Sequence, residues 1–549
     1  MSTALATLAA VLALGAAGLV PVGAAVGPRW ALVPLAPLGG AVLAALAATA
    51  SLSFGGALLS WFVGLALVAT VAVFILWVVR PDLGPWSQPA VRRRSGRARH
   101  RSAGIIGFVA VAASCAWSLR ALRSPTVGFD ARSLWLMRPG WFLQSHAQLL
   151  VDMRLRGLVL FQTAYPPLVS AATAVAWRIT GVHTARLGVT TMAVLNACAL
   201  AAAALAVVDC GRAAALGMVD GSGRAARHPD VEAVAGGLVD SDPEPAGTRS
   251  EPAPWAPMVA GVLAAVLLVF VAAGVTEPFL TNGYADPLWS LAAVGAVAFG
   301  LQSRSERPGR AAAAVLILVA GLSKNEGLVT ALALVALLAF RSVGREGWRG
   351  ERRRWVAPAV LAVAELAVLA WWPLLMHAIG ARGASTTFTL TDVGSRSSAV
   401  VHGMSPYLHV LVLALPLSVV GALTLTPVRR RAGVGNDLWA WAALAVGLVA
   451  VGAALVTGSG AIVPWIRSTV HRITEYPILE AWWIIAVWAV VGASGTTSLR
   501  RAPAHRVTRA TRSGPPGRLS DPGDGGDPVD GPGRGGADLP VGTSTGPVR

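Results

Sequence analysis

The chain is long, apolar and basic. It has 549 residues, of which 55% are hydrophobic and only 13% are charged, and its mean hydropathy is +0.62. Soluble domains carry about 25% charged residues and disordered chains are poor in apolar residues, so both classes are excluded. The net charge of +18 could indicate nucleic-acid binding, but the arginines lie mainly in short loops between apolar runs, as on the cytoplasmic side of membrane proteins. We therefore predict an all-α polytopic membrane protein that binds no nucleic acid.

Apolar runs that suit membrane-spanning helices recur along the chain. No basic residue precedes the first run and Arg29 follows it, which favours an N-terminus outside the cell. We predict about 13 transmembrane helices, at residues 3–26, 31–51, 54–79, 103–122, 186–207, 256–274, 284–302, 311–323, 327–340, 356–380, 403–427, 438–457 and 477–494.

A further apolar run, 158–180, is predicted not to cross the membrane. An even number of crossings must separate Arg-rich loops that lie on the same side, and this run would make the number odd. It also contains a Tyr-Pro-Pro sequence and Arg178, which a lipid-exposed span would avoid. We predict an interfacial or re-entrant helix in a large external loop, 123–185, and a cytoplasmic C-terminus. The Arg-rich loops assigned to the cytoplasm are 80–101, 303–310, 341–354 and 429–431.

The chain is predicted to consist of two membrane parts with two disordered segments. Residues 1–101 form an N-terminal membrane segment of three helices followed by an Arg-rich cytoplasmic loop, and residues 102–497 form the membrane core. Residues 213–254, inside the core, and 498–549 combine Gly, Pro and charged residues without periodicity. We therefore predict that both of these segments are disordered and cytoplasmic.

The large external loop offers the first candidate site residues. Asp130 precedes apolar and aromatic residues, among them Trp135 and Trp141, which suit a helix lying at the membrane surface. A carboxylate there could take a proton from a hydroxyl nucleophile, or it could simply cap a helix. Tyr165 is followed by Pro166 and Pro167, which could do no more than start a helix at a fixed angle.

A short external loop, 276–287, brings further polar groups to the same face as Asp130. It contains Glu277, Asn282, Tyr284 and Asp286, and Pro287 follows. These side chains could bind a sugar, while Asp286 could cap the next helix; the two interpretations are compatible.

The strongest signal on physical grounds lies between two short apolar runs. Lys324 is the only lysine of the chain and is followed by Glu326. Ionisable groups at membrane depth are costly and usually functional, and a lysine can meet a phosphate as a point charge. Alternatively, Lys324 and Glu326 only neutralise each other at a hairpin. Glu365, inside a predicted span, is a further intramembrane carboxylate that could pair with a buried cation.

The last external loop carries a basic cluster. Arg467, His471 and Arg472 are spaced so that one helical face can present all three. Such a cluster at the outer membrane surface suits a lipid-linked phosphate, or contact with ordinary lipid headgroups.

The order and sidedness of these parts resemble the GT-C superfamily of polyprenyl-phosphate-sugar-dependent glycosyltransferases, which includes protein O-mannosyltransferases and the lipid A aminoarabinose transferase. The resemblance covers roughly residues 103–494 and implies a GT-C-like membrane fold. It also implies inverting transfer from a polyprenyl-phosphate sugar to a cell-envelope glycan, lipid or protein acceptor, at the membrane lipid surface. A divalent cation is a possible cofactor.

The resemblance also implies residue roles. Asp130 would be the catalytic base, although Ala131 stands where many relatives have a second acid. The main alternative is a flippase or transporter of polyprenyl-linked lipid, suggested by the short helices around 321–327 and by Glu365; a non-catalytic scaffold is a third possibility. The implied substrate-binding residues are Tyr165, Glu277, Tyr284, Asp286 and Glu326, and the implied donor-phosphate-binding residues are Lys324, Arg467, His471 and Arg472.

Overall fold

The computed structural model is helical in the residues that it describes, with no β-strand among them. Met1–Arg500 form one compact unit, in which the three N-terminal helices pack against helices of the core. The segment 501–549, and with it nearly all of the tail predicted to be disordered, lies outside the described residues. The described residues are 1–26, 30–79, 94–123, 125–154, 164–225, 255–302, 306–346, 353–381, 393–431, 437–457 and 469–499.

Long helices make up most of the described chain. Two short π-helices, Ala131–Trp135 and Val297–Gln302, interrupt the regular pattern. The α-helices are Thr3–Val26, Leu32–Phe54, Leu58–Val79, Arg94–Ser118, Arg138–Trp141, His146–Arg154, Leu168–Thr180, Ala185–Ala225, Trp255–Val275, Asp286–Ala296, Glu306–Ser323, Asn325–Glu346, Arg353–Ala378, Val393–Met404, Val410–Arg431, Asp437–Thr457 and Glu475–Leu499.

The helices confirm a polytopic membrane protein. Within the described ranges, 9 helices are long and apolar enough to span a membrane, and a bent pair, Val393–Tyr407 with Val410–Leu425, would make up to 10. The remaining three of the 13 predicted spans coincide with shorter apolar helices, Asp286–Leu301, Gly309–Ser323 and Leu438–Ala453. The number of 13 spans therefore stays a prediction.

The pair of helices near residue 400 differs from the single span predicted at 403–427. The two parts meet at 73° across a break of a few residues, and Pro406 lies in the 3-10 turn Ser405–Tyr407 at that break. Proline supplies no backbone donor and ends a helix, so the apolar run continues in sequence while the helix changes direction.

The run predicted not to cross the membrane contains the short helix Leu168–Thr180. Its 13 residues rise by about 20 Å, whereas the hydrocarbon core is about 30 Å thick. Residues 168–177 are all buried in the protein, so the helix packs inside the bundle rather than along its surface. Residues 158–163 of the run lie outside the described residues, so its failure to cross stays a prediction.

Burial divides the long helices into inner and outer ones. The apolar part of Ala185–Ala225 is mostly buried, whereas Leu58–Val79 is mostly exposed. Leu67, Val71 and Phe74 on that outer helix present their side chains to the surroundings. A helix that exposes apolar side chains along its length suits contact with lipid rather than water. The helix Ala185–Ala225 also continues into the segment predicted to be disordered, of which 226–254 lie outside the described residues.

The first two helices approach each other closely through glycine. A Cβ atom added at Gly18 would lie 2.0 Å from the carbonyl oxygen of Ala36, and one added at Gly40 would lie 1.9 Å from that of Leu14. No larger residue fits at either position. Small residues of this kind let helix backbones meet in a membrane, where van der Waals packing drives association.

Candidate functional site

Five charged side chains from four separate stretches of the chain form one network, which we call the charge cluster: Asp130, Asp286, Lys324, Glu326 and Arg472. Arg472 donates a hydrogen bond to Oδ2 of Asp130, 342 positions away in the sequence. Its Nη1 also lies 3.8 Å from Oδ2 of Asp286. Lys324 Nζ lies 2.6 Å from Oδ1 of Asp286 and 3.4 Å from Oε1 of Glu326. The loops predicted to share one side of the membrane therefore meet at one end of the bundle.

The centre of the charge cluster is buried. Asp286 is the first residue of the helix Asp286–Ala296, and its carboxylate accepts a hydrogen bond from Lys324. Burial alone would lower the pKa of Lys324, but the carboxylates of Asp286 and Glu326 outweigh that effect and raise it. Lys324 is therefore a permanent cation. Asp286 is the nearer carboxylate, so the neutralisation of Lys324 by its neighbour Glu326 describes only part of the ion pairing of this lysine.

Asp130 is the most accessible of the three carboxylates in the cluster. Its side chain is 23% exposed, against 20% for Glu326 and 1% for Asp286. Asp130 stands directly before the π-helix Ala131–Trp135, yet its side chain makes no capping hydrogen bond. The helix-capping interpretation is therefore wrong in this structure, because the carboxylate turns to Arg472 instead.

Aromatic side chains form one wall of the charge cluster. The ring centroid of Tyr284 lies 5.0 Å from the guanidinium carbon of Arg472, and the Tyr284 hydroxyl accepts a hydrogen bond of 3.4 Å from the backbone N–H of Asp130. The Phe279 ring lies 5.0 Å from that of Tyr284 and 5.1 Å from that of His471. Rings at these positions could stack on the face of a sugar.

Tyr165 lies close to the same charges. Its ring stacks on that of Trp135 at 5.3 Å, in the segment that leads into the helix Leu168–Thr180. Burial, and then the carboxylate of Glu326, raises the pKa of the Tyr165 hydroxyl, against the opposing effect of Lys324. The hydroxyl is therefore neutral and can donate or accept a hydrogen bond beside the cluster. Helix initiation and a site role are both compatible with this position.

The basic residues of the last external loop differ in their surroundings. Arg472 is only 12% exposed and faces carboxylates, so contact with lipid headgroups does not explain its position. Burial, and then the neighbouring charge of Arg472, lowers the pKa of His471, which is therefore neutral at pH 7 and acts as a hydrogen-bonding group rather than as a cation. Arg467 lies outside the described residues.

Glu277 and Glu365 are described candidates that take part in none of the ion pairs of the charge cluster. The side chain of Glu277 is exposed. Its predicted sugar-binding role stays a prediction.

Two site residues were not selected from the sequence. Glu475 is fully buried with no hydrogen-bond partner for either carboxyl oxygen, and it interacts electrostatically with Asp286, Lys324 and Arg472. Its position at the start of an apolar run, three residues after Arg472, was an available signal. Arg138 is also buried, which nothing in its local sequence indicates.

A metal site is not apparent in the described part of the chain. No group of three or more His, Cys, Asp or Glu side chains there is placed to hold a metal ion. The carboxylates of Asp130 and Asp286 instead hold Lys324 and Arg472. In this arrangement, fixed side-chain cations supply positive charge at the site.

No protein-family model, curated protein or solved structure matches the chain. The function proposed below therefore depends on the arrangement of these side chains.

Proposed function

We propose that this protein is an integral membrane glycosyltransferase of the GT-C type, which transfers a sugar from a polyprenyl-phosphate donor to an extracytoplasmic acceptor with inversion. The observation that carries the proposal is the contact between Asp130 and Arg472, residues that are 342 positions apart. Apart from Glu277 and Arg467, the residues that the GT-C resemblance names lie in or against the charge cluster. The motifs are weak one by one, but most of their residues lie together at the charge cluster, which supports the proposal.

Asp130 is assigned to the base because it combines accessibility with a fixed orientation. The acceptor hydroxyl attacks the anomeric carbon, its proton passes to Asp130, and the bond between that carbon and the phosphate oxygen breaks. The polyprenyl phosphate departs with the bonding electron pair. Arg472 contacts the carboxylate of Asp130 and the Tyr284 hydroxyl contacts its backbone N–H, so that the carboxylate is positioned before the acceptor arrives.

Lys324 and Arg472 provide the electrostatic part of the mechanism. Negative charge grows on the phosphate as it departs, and preorganised cations in a water-poor site stabilise such charge more than water does. Asp286 fixes both cations, since its two carboxyl oxygens lie 2.6 Å from Lys324 Nζ and 3.8 Å from Arg472 Nη1. Asp286 is therefore a positioning residue rather than a second base.

The surroundings of Asp130 suit a lipid-linked donor. Phe129, directly before it, is 77% exposed, as expected of an aromatic side chain at a membrane interface. A polyprenyl chain could remain in the lipid while the attached sugar reaches the charge cluster. We propose that this end of the bundle is the extracytoplasmic one and that the protein lies in the cell membrane.

The direct test is sugar transfer by the purified full-length protein in lipid nanodiscs. A panel of radiolabelled polyprenyl-phosphate sugars is offered together with cell-envelope glycan, lipid and protein fractions. The proposal predicts label in an acceptor and release of polyprenyl phosphate. If a correctly folded preparation gives neither with any donor of the panel, the proposal is wrong.

A second candidate, a flippase or transporter of polyprenyl-linked lipid, is favoured by one observation. The helix Glu475–Leu499 carries two fully buried acids, Glu475 and Glu480, whose carboxyl oxygens have no hydrogen-bond partner. Buried intramembrane carboxyls are typical of substrate or proton pathways. Movement of labelled lipid across proteoliposomes without transfer of its sugar would favour this function over the first.

A further inference from the structure

Arg138 is a buried cation with free hydrogen-bonding capacity. The residue is 1% exposed, and two of its guanidinium nitrogens, Nε and Nη2, make no hydrogen bond. These two atoms form the side edge of the guanidinium, whose parallel N–H groups can hold two oxygens of one carboxylate or phosphate. The edge that best binds an oxyanion is therefore buried without a hydrogen-bond acceptor.

The surroundings of Arg138 do not compensate its charge. Its guanidinium carbon lies 5.5 Å from the ring centroid of Trp372 and 6.0 Å from that of Phe142, at the outer limit of about 6 Å for cation–π attraction. Burial is the one cause that lowers the pKa of Arg138, to about 9, so the side chain remains charged at neutral pH. A buried charge without a counter-ion is strongly unfavourable, and an anionic ligand at this edge would supply one.

Arg138 is connected to the segment of Tyr165 through Trp372. Trp372 donates a hydrogen bond of 3.0 Å to the carbonyl oxygen of Ala164, the residue before Tyr165. Tyr165 stacks on Trp135, whose indole nitrogen is also buried and lacks an acceptor. Donors without acceptors thus occur at both Trp135 and Arg138, which are three residues apart.

The charge cluster itself offers few cations for a phosphate group. Lys324 and Arg472 face the carboxylates of Asp130, Asp286 and Glu326, so the two cations are outnumbered by acids. In an inverting displacement the base and the leaving group act on opposite faces of the sugar. Arg472 is shared with the base itself, so a further cation away from Asp130 would add to the stabilisation of the departing phosphate.

We infer that the side edge of Arg138 binds the phosphate of the polyprenyl-phosphate ligand, as a binding residue additional to Lys324 and Arg472. The inference rests on the proposed function and names the contact made by the leaving group. Nε and Nη2 are shielded from solvent, so the side chains that cover this edge must shift when the phosphate enters. Trp372 belongs to a helix of membrane-spanning length, which suits a ligand that arrives with its lipid chain.

The test is equilibrium binding of radiolabelled polyprenyl monophosphate to the full-length protein in nanodiscs. Arg138→Gln removes the charge at similar size, and Arg138→Lys keeps the charge but loses the two-pronged edge. Arg132→Gln is the matched control, since Arg132 is an exposed arginine of the same loop. We expect the Kd to rise at least about tenfold for R138Q, by an intermediate factor for R138K and by less than about twofold for R132Q.

Neutral polyprenol of the same chain length should bind equally to all variants, which separates the phosphate from the lipid chain. Wild-type affinity in folded R138Q would overturn the inference. If R138Q does not elute as a monodisperse protein, R138K decides, and unchanged affinity there overturns it. Displacement of the lipid by soluble glucuronate as readily as by polyprenyl phosphate would assign Arg138 to an acceptor carboxylate and would also overturn it. Arg138-dependent binding without any sugar transfer would support the inference and contradict the glycosyltransferase.

Discussion

The ammonium group of Lys324 lies 2.6 Å from Oδ1 of Asp286, in an ion pair whose side chains are only 7% and 1% exposed. The lysine lies between two helices, Glu306–Ser323 and Asn325–Glu346, and the aspartate begins a third. The pair therefore joins the ends of three helices that form one side of the charge cluster.

Lys324→Met should destabilise the fold because it leaves the Asp286 carboxylate buried with only the more distant Arg472. Removing one partner of a buried pair costs about 3–5 kcal/mol, and the nearby Arg472 should keep the loss towards the lower end of that range. The measurement is thermal unfolding of the purified protein in detergent. The comparison variant is Glu326→Gln, whose carboxylate is farther from Lys324 at 3.4 Å and 20% exposed; it should lower the Tm much less.

The double variant K324M/D286L removes both charges and should recover much of the lost stability, since apolar replacements of buried pairs are often tolerated. It should not recover activity, because Arg472 loses its second carboxylate. A K324M protein as stable as wild type would show that the pair contributes little to the fold.

Asp130→Asn should abolish most sugar transfer while leaving the protein folded. Loss of a general base lowers kcat by about 10²–10⁴-fold, and asparagine preserves the size of the side chain and can still accept a hydrogen bond from Arg472. The measurement is initial rate of transfer in nanodiscs at saturating donor.

The matched control is Asp209→Asn. Asp209 pairs locally with Arg212 at 3.0 Å, and about 30 Å of helix rise separates it from Val189, which packs against Gly283 in the site loop. D209N should transfer at nearly the wild-type rate. A D130N protein with full activity would remove Asp130 from the role of base.

The sequence predicted the charge cluster because its members are polar exceptions at the ends of apolar runs. Asp130, Asp286 and Lys324 are costly at or near membrane depth unless they are paired, and the distribution of arginines among the loops placed them on one side. In the structure these side chains are joined by ion pairs with one another and with Arg472. What the pattern did not determine was their pairing, since Lys324 contacts Asp286 more closely than its sequence neighbour Glu326.

Other features depend on tertiary packing and leave little trace in the sequence. Arg138 appears as an ordinary loop arginine, yet it is buried, and one of its neighbours is Trp372, more than two hundred residues later in the chain. Hydropathy likewise shows where apolar residues occur but not where a helix bends, as it does near Pro406. These differences are expected wherever a property is created by contacts between distant segments.

Gly128→Ala should impair activity by displacing Tyr284. A Cβ atom at Gly128 would lie 2.1 Å from Cε2 of the Tyr284 ring, and the same tyrosine receives the hydrogen bond of the Asp130 backbone N–H. Overpacking of this kind costs about 1–3 kcal/mol, and movement of Tyr284 would release Asp130 from its position. We expect a lower Tm and a lower kcat.

Gly140→Ala is the comparison, because a Cβ atom there meets nothing within 4 Å, and it should leave the Tm and kcat unchanged. In the double variant Gly128→Ala with Tyr284→Ala the clash disappears, so the Tm should return towards that of Tyr284→Ala alone. If G128A matches wild type in both quantities, the close contact between Gly128 and Tyr284 is wrong.

His471 should make the protein less stable in mild acid. Burial and the charge of Arg472 lower its pKa from the ordinary value of 6.5, so below about pH 6.5 the unfolded chain takes up a proton that the folded protein resists. Stability therefore falls as the pH drops from 6.5 towards the lowered pKa in the folded protein, and this contribution is absent above pH 6.5. The measurement is Tm from pH 7.5 to 5. His471→Gln, which cannot be protonated, should flatten the decline between pH 6.5 and 5; equal slopes for H471Q and wild type would contradict the assignment.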